Sequence, residues 1–182
     1  GKVQTGNTPS RDVPDYYGNF IEWIKSDDII KGEMFVQKSR EGISEQGLKV
    51  ARFVKAGSIL VTCIAGSENS IGNAAIANRE VCFNQQINAI TAYKGVEPLY
   101  LYGLLIMCKP LVQKNTTLGM KRIITKSKFE SLLVIKPPLP LQEKFAEIVQ
   151  KVERVRCQQR EATRQAEDLF QTLLHRAFRG EL

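Results

Sequence analysis

The sequence predicts an α+β protein, in which a mixed globular domain over residues 1–139 is followed by one long coiled-coil helix over residues 140–182. Two observations predict this division. In the last 43 residues, apolar positions recur with alternating spacings of three and four, which is the heptad pattern of a coiled coil. The residues before them contain short runs rich in β-branched and aromatic side chains, which are typical of strands.

The elements of the globular domain follow from local patterns. Residues 57–64 and 81–90 are predicted to be strands, because both runs are rich in β-branched or aromatic side chains. A polar loop that contains glycine, residues 65–73, lies between them. Residues 98–107 are predicted to form a buried helix that begins at its proline and is ended by Pro110.

The long helix is predicted from its flanks as well as from its repeat. A last strand over residues 132–136 leads into a proline-rich junction, residues 137–140, which stiffens the connection. Pro140 suits the first position of a helix, no Gly or Pro interrupts residues 141–179, and Gly180 suits the end. Such a helix is roughly 57 Å long, which is more than one small domain needs.

The apolar positions of the long helix form one seam that must be covered. The predicted pairing residues are Phe145, Ile148, Val152, Val155, Gln159, Ala162, Ala166, Leu169 and Leu173. The polar or small residues at the middle of this seam suit close approach of a partner helix better than packing under a large core. A helix that folds back on its own globular domain is the alternative.

Positive charge is concentrated in one part of the globular domain. The whole chain has a formal charge of +7, and residues 109–136 hold seven Lys and Arg against one Glu, a formal charge of +6. The residues predicted to bind nucleic acid in this segment are Lys114, Asn115, Thr116, Thr117, Lys121 and Arg122. Their side chains can donate to phosphates or read base edges. A basic run can also be only a solvated face, so both interpretations are open at this point.

Two loops that follow or join predicted strands also carry polar side chains. Binding groups are often placed on loops of a rigid scaffold. The residues predicted to bind nucleic acid here are Lys25 and Ser26 in one loop, and Ser67, Asn69 and Ser70 in the other. The alternative is ordinary turn chemistry, in which Ser, Asn and Asp side chains satisfy the nearby backbone.

The sequence lacks the residue patterns of catalytic and metal sites. The loop at 66–72 has no Lys-Ser/Thr of a P-loop, and no G-x-G-x-x-G follows a predicted strand. Residues 136–139 lack the polar residue and the aromatic residue that DNA amino-methyltransferases place around a Pro-Pro pair. His175 is the only histidine, and Asp27 and Asp28 have no accompanying acidic cluster. No catalytic residue and no metal site is therefore predicted.

The cysteine spacing and the hydropathy of the chain indicate the cellular compartment in which it is expected. Cys63, Cys82, Cys108 and Cys157 form no C-x-x-C pair and are expected to be buried reduced thiols. The most apolar window, residues 98–112, is too short to span a bilayer, and the first residues show no signal-peptide pattern. The chain is therefore expected to be cytoplasmic and to have no membrane partner.

Seven fragments of the sequence occur in an order that is more specific than any one of them. They are residues 6–10 (Gly-Asn-Thr-Pro-Ser), 21–29, 43–47 (Ile-Ser-Glu-Gln-Gly), 57–60, 83–85 (Phe-Asn-Gln), 135–143 and 169–182. In this order they resemble one half of the DNA specificity (S) subunit of type I restriction-modification enzymes. The resemblance covers essentially the whole chain.

The resemblance implies a target recognition domain followed by a spacer helix. A complete subunit has two such units, whose helices pair antiparallel so that each domain reads one half of a split site in double-stranded DNA. The resemblance further implies that the chain is not catalytic and binds no cofactor itself. Modification subunits would carry methyl transfer from S-adenosylmethionine, and a restriction subunit would carry the ATP- and Mg-dependent steps.

Two forms of the protein remain open at this point, and so do other classes of function. The ending Arg-Gly-Glu-Leu at residues 179–182 resembles a natural terminus of the family and favours the C-terminal half of a longer subunit. The other form is a half-length subunit that pairs with itself. A coiled-coil adaptor that assembles proteins without reading DNA is the alternative function, whereas a catalytic nuclease or methyltransferase domain lacks its motifs.

Overall fold

The computed structural model of the chain describes residues 1–117, 119 and 121–181. Leu182, the last residue of the predicted helical segment, lies outside the described residues. The observed elements confirm the predicted α+β class with a long C-terminal helix. The chain divides into two compact units, Gly1–Gln142 and Glu143–Leu182.

The first unit is built mainly from short strands. The strands are β1 (Lys2–Thr5), β2 (Tyr17–Ile24), β3 (Gly42–Ile43), β4 (Phe53–Val54), β5 (Ile59–Thr62), β6 (Ile64–Ala65), β7 (Ala74–Ile76), β8 (Val81–Phe83), β9 (Ile87–Thr91) and β10 (Arg122–Ile123). The helices are α1 (Glu45–Leu48), α2 (Pro98–Met107), α3 (Lys109–Lys114), α4 (Lys126–Glu130) and α5 (Leu139–Phe178). Short 3₁₀ turns lie at Pro14–Tyr16 and Ser26–Asp28.

The strands form two four-stranded sheets and one two-stranded ribbon. One sheet is antiparallel throughout and has the order β1-β9-β5-β7. The other has the order β3-β2-β8-β4, in which β2 and β8 are parallel. The ribbon pairs β10 with β6 in the antiparallel sense. It brings the middle of the basic segment, residues 109–136, to the strand that precedes the 66–70 loop.

The core is divided between the two faces of the β2–β8 pair. Successive residues of a strand point to opposite faces of its sheet. Ile24 and Phe83 belong to the main hydrophobic cluster with Leu60 of β5, whereas Trp23 and Cys82 pack in a second cluster. Because both faces are covered, β8 is apolar at every position.

Two predicted strands are divided by turns. Residues 81–90 were expected to form one strand, but a turn separates β8 from β9. In this turn the Asn84 side chain accepts a hydrogen bond from the Gln86 N–H (3.1 Å), and the Asn84 carbonyl accepts one from the Ile87 N–H (3.2 Å). An Asn side chain that binds the backbone two residues on is a common way to start a turn. The predicted strand at 57–64 is likewise divided into β5 and β6 and begins only after Gly57, whose φ is +87°.

One prediction around the helices is confirmed and one is wrong. Helix α2 has the predicted bounds, but a second helix, α3, begins one residue beyond its end and carries Pro110 in its first turn, where the missing N–H costs no hydrogen bond. Residues 132–136 form no strand. Their apolar side chains are largely exposed, with Leu133 at 92%, and the prolines that follow cannot donate to a strand partner.

The long helix begins one residue before the predicted position and ends where expected. It runs from Leu139 to Phe178, and Gly180 beyond its end has a φ of +69°. Gln142 in its first turn is fully buried. The Gln142 side chain donates to the Pro137 carbonyl (2.7 Å) and accepts from the Glu97 N–H (3.0 Å), so these contacts fix the first turn of the helix, which is part of the first unit.

The cysteines are only partly as expected. Cys63 and Cys82 are buried, and burial raises the pKa of each thiol to about 12. Cys108 is half-buried, and Cys157 is exposed because it lies on a helix face that no described residue covers. All four are free thiols. Within the described residues, no helix is long and apolar enough to cross a membrane, and no three His, Cys, Asp or Glu side chains form a cluster suited to a metal ion.

Candidate functional site

The structure brings two of the three predicted binding segments together. The 66–70 loop directly follows β6, and β10 pairs with β6 so that Arg122 lies opposite Ala65. Helix α3 contacts the same loop, since the Gln113 side chain donates to the Glu68 carbonyl at 2.7 Å. Residues that are about fifty positions apart in the sequence therefore form one surface.

Arg122 is one of the residues predicted to bind nucleic acid, and it contacts the 66–70 loop. Its guanidinium lies 3.4 Å from a carboxylate oxygen of Glu68. The Arg122 side chain is 30% exposed and that of Glu68 is 60% exposed. An ion pair with this exposure contributes little to stability. Both side chains are therefore available to a ligand.

Lys109 has a different role from the other cations of the basic segment. Its ammonium donates to the Asn69 carbonyl at 2.6 Å and to the Asn73 side-chain oxygen at 2.5 Å. Partial burial and the nearby charge of Lys31 lower the pKa of Lys109. This lysine therefore fixes both sides of the loop and has fewer donors left for a ligand.

The remaining predicted residues of the basic segment divide by exposure. Lys114, Thr117 and Lys121 are exposed. Asn115 and Thr116 instead donate through their side chains to the carbonyls of Leu111 (2.9 Å) and Gln113 (2.7 Å) at the end of α3. The exposed cations are thus the better placed of these five for phosphate contacts, whereas Asn115 and Thr116 close the helix end.

In the 66–70 loop, the predicted residues also take part in turns. The Asn69 N–H donates to the Ser67 hydroxyl at 3.2 Å, and the Ser70 N–H donates to the Ser67 carbonyl at 3.2 Å. This is the turn chemistry that formed the alternative interpretation. Ser67 and Asn69 remain exposed, so their outward groups can still meet a ligand.

The third predicted segment reaches the same region through Gln86. The Ser26 hydroxyl donates to the Gln86 side-chain oxygen at 3.1 Å. The carbonyl of Gln86 accepts from the N–H groups of Cys63 and Ile64, just before the 66–70 loop. Gln86 therefore lies between the two predicted loops. Its role could not be predicted, because a Gln in a strand-like run is not distinctive.

The predicted residue Lys25 lies in a second cluster of cations, whose other member, Arg11, was not predicted. The Arg11 guanidinium lies 4.2 Å from the centre of the Tyr17 ring and 5.1 Å from that of Trp23, and the Lys25 ammonium lies 5.2 Å from the Trp23 ring. Glu41 forms ion pairs with both cations, and their hydrogen bonds lower the pKa of its carboxyl. Beside this cluster is an open groove that Lys38 and Arg40 also line.

The family described as "Type I restriction modification DNA specificity domain" matches residues 1–167 of the chain. Over 107 residues, the chain is 34% identical to the type I restriction enzyme MjaIX specificity subunit of Methanocaldococcus jannaschii, which covers 57% of this chain and 24% of that protein. Over 176 residues, it is 30% identical to the type I restriction enzyme EcoBI specificity subunit of Escherichia coli, which covers 89% of this chain and 35% of that protein.

Solved structures show the same fold. The crystal structure of the HsdS subunit from Thermoanaerobacter tengcongensis superposes with a TM-score of 0.64 at 19% identity, over all of this chain and 43% of that one. A chain from the type I R-M system superposes with a TM-score of 0.63 at 22% identity. The chain spans about a quarter to a third of the length of the two curated relatives described above.

Proposed function

Because the chain belongs to the type I restriction modification DNA specificity domain family, we propose that it recognises double-stranded DNA by sequence as one half of a specificity subunit. The observation that carries this proposal is the contact between the 66–70 loop and the basic segment, where Arg122 meets Glu68. A loop fixed on a sheet, with exposed cations beside it, supplies both parts of a DNA interface.

The proposed chemistry separates affinity from specificity. Lys114 and Lys121 contact phosphates, which gives affinity that is independent of sequence and falls with salt. Arg122 donates to a base edge, for which guanine is the usual partner of Arg. The predicted contacts of Lys25, Ser26, Ser67, Asn69, Ser70, Asn115, Thr116 and Thr117 belong to the same proposal.

The chain is proposed to have no catalytic role. In this proposal, residues 1–139 form the recognition domain and the long helix joins a second half-subunit or a second copy of the chain. Modification subunits with S-adenosylmethionine and a restriction subunit with ATP and Mg would provide the reactions. The exposed apolar seam of α5 supports pairing, since Ile148, Val152 and Val155 are each about half exposed.

The test is a DNA-binding titration of the 182-residue chain and of Lys121→Ala combined with Arg122→Ala. The variant is expected to lose affinity and to show a salt dependence that is weaker by about one unit of slope, because one phosphate contact is removed. Its discrimination against the wrong base should fall by about 1–3 kcal/mol. Pooled random duplexes give the first measurement, and selected sequences give the second.

A matched control keeps the change of charge but moves its position. Lys49→Ala combined with Lys94→Ala removes two exposed cations outside the basic segment. This control should retain the slope and the sequence preference. If both double variants lost the same affinity for DNA and the same salt dependence, the interface would not lie at Lys121 and Arg122.

The alternative function is a protein-assembly adaptor that uses the coiled coil alone. The exposed seam of α5 favours it as much as it favours the first proposal. The two differ in DNA binding, because an adaptor would bind random duplexes weakly at low salt and not at all at moderate salt. A sequence preference that survives moderate salt excludes the adaptor.

A further inference from the structure

Glu68 is an acidic side chain on an otherwise basic surface. It lies in the 66–70 loop, and its side chain is 60% exposed beside Arg122. Glu130, the one acid within the basic segment, is paired with Lys126 in α4 instead. A carboxylate near DNA phosphates is repelled unless a donor on a base compensates it.

The backbone around Glu68 is fixed from two sides. Gln113 of α3 holds the Glu68 carbonyl, and Lys109 holds the Asn69 carbonyl together with the side chain of Asn73. Gly72 also packs against Lys109, since a Cβ at this glycine would lie 3.0 Å from the lysine Cγ. The loop is therefore preorganised, which a base-reading side chain requires because ordering a loop on binding costs affinity.

We propose that Glu68 is a specificity-determining residue that, together with Arg122, selects a G·C base pair in the major groove. The inference rests on the proposed function. The major-groove edge of this pair offers two acceptors on guanine and one amino donor on cytosine. Arg122 presents two donors to the guanine, and the adjacent Glu68 carboxylate accepts from the cytosine amino group. The 3.4 Å spacing of the two side chains places donor and acceptor side by side.

In this arrangement Lys109 and Gln113 are positioning residues. They do not touch the base pair but hold the carbonyls of Asn69 and Glu68. Lys109→Met should therefore relax the preference at the same base pair as Glu68→Ala and leave the other selected positions unchanged. Lys109→Arg should restore part of that preference, and the Glu68→Ala Lys109→Met double variant should be no less selective there than Glu68→Ala alone.

The main test combines a substitution in the protein with the removal of one functional group from a DNA base. Sites are first selected from random duplexes by the 182-residue chain, and the G·C pair whose preference weakens in Glu68→Ala is identified. Its cytosine is then replaced by 2-pyrimidinone, which lacks the 4-amino group. The wild-type chain should lose on the order of tenfold in affinity, whereas Glu68→Ala should bind both duplexes equally. Glu80→Ala, which removes an exposed carboxylate elsewhere, is the control and should behave as the wild type.

The outcomes separate this inference from the proposed function. If the wild-type chain selects a sequence but Glu68→Ala selects the same one and binds every duplex more tightly, Glu68 only repels DNA and the inference is wrong. Equal sensitivity of both proteins to 2-pyrimidinone would also overturn it. If the wild-type chain selects no sequence at all, the proposed function fails first and the inference fails with it.

Discussion

At the scale of single residues, the Glu22–Arg79 pair connects three parts of the first unit. Arg79 donates to both carboxylate oxygens of Glu22, at 3.0 and 2.6 Å, and also to the carbonyls of Val36 and Gln37. The Ser39 N–H donates to the same carboxylate at 2.9 Å. Burial alone would raise the pKa of Glu22, but these hydrogen bonds outweigh it and lower the pKa.

Glu22→Gln is expected to destabilise the protein by about 2 kcal/mol at pH 7, because a hydrogen bond to a charged group contributes about that much. Because the pKa of Glu22 is lowered in the folded protein, its stabilising effect is complete above the pKa of about 4.3 that a Glu has in the unfolded chain. The effect is lost as pH falls through the pKa of Glu22 in the folded protein. The wild type should therefore lose more stability on acidification than Glu22→Gln. Urea unfolding at pH 7, 5 and 3 measures both effects.

Glu80→Gln is the control for this prediction, because it makes the same substitution at an exposed acid. Its stability at pH 7 should match that of the wild type, and so should its dependence on pH. Parallel curves for the wild type and Glu22→Gln from pH 7 to 3 would contradict a lowered pKa of Glu22 in the folded protein.

Glycines in the fragments that carried the family resemblance have structural reasons. A Cβ at Gly6 would lie 2.2 Å from the Asn84 carbonyl oxygen, and one at Gly47 would lie 2.0 Å from that of Tyr16. Both distances are far below contact. These two fragments therefore take part in the close packing of the first unit.

At the scale of elements, the sequence predicted those helices and strands whose bounds depend on neighbouring residues. The bounds of α5 differ from the prediction by one residue at the start, because a heptad repeat and flanking Pro and Gly are read directly from the sequence. The 81–90 run was predicted as one strand because the turn depends on a side-chain contact of Asn84 with the backbone. The 132–136 run has strand composition, but the described structure gives it no strand partner.

The candidate site was predictable in composition and not in geometry. The concentration of cations and the polar loops were visible in the sequence. The contact of Lys109 with Asn69 and Asn73 was not, since it joins residues 36 to 40 positions apart. Lys109 therefore looked like any other cation of its segment. The contact of Arg11 with the Tyr17 and Trp23 rings was not predicted for another reason: β2 supplies the rings and the preceding loop supplies the cation, and the sequence does not show how that loop folds.

Helix α5 is expected to self-associate through its seam. Val152 and Val155 are both 52% exposed, and exposed apolar side chains that recur along one face of a helix favour a partner. Val152→Asp combined with Val155→Asp should convert a dimer at micromolar concentration into a monomer, because pairing would bury the new carboxylates without partners. Sedimentation equilibrium of the 182-residue chain measures this directly.

The control introduces the same charge away from the seam. Gln150→Asp combined with Gln171→Asp changes two exposed positions opposite the predicted seam and should leave the dimer intact. A wild-type chain that is strictly monomeric at micromolar concentration would refute the pairing prediction. A dimer that persists in the valine variant would refute the choice of seam.

At the scale of the whole molecule, the globular domain and the long helix differ in charge and length, and these differences suit them to different proposed roles. Residues 1–139 carry eighteen Lys and Arg against twelve Asp and Glu, a formal charge of +6, whereas residues 140–182 carry eight against seven. In the proposed function, attraction to DNA therefore comes from residues 1–139. The helix has nearly balanced charge and a length of about 60 Å for its 40 residues, which suits it to set a distance between two recognition domains.

An antiparallel pair of such helices implies a split target. Two domains that approach the same side of B-DNA favour half-sites about 10 bp apart from centre to centre. If the partner is a second copy of the chain, the two half-sites form an inverted repeat, because a two-fold axis relates the two copies. A different second half would give an asymmetric target instead.

Lengthening α5 by one heptad tests whether the helix sets this spacing. Seven residues duplicated from 152–158 keep the seam in register and add about 10 Å, so the unread gap between selected half-sites should widen by as much as about 3 bp. Four inserted residues are the control, because they displace the seam and should weaken pairing. Half-sites selected from random duplexes, together with sedimentation of each variant, measure both quantities. If the seven-residue variant still dimerises and still selects the original gap, the helix joins the two halves without setting the distance between them. A rigid spacer that set this distance would change the gap when its own length changed.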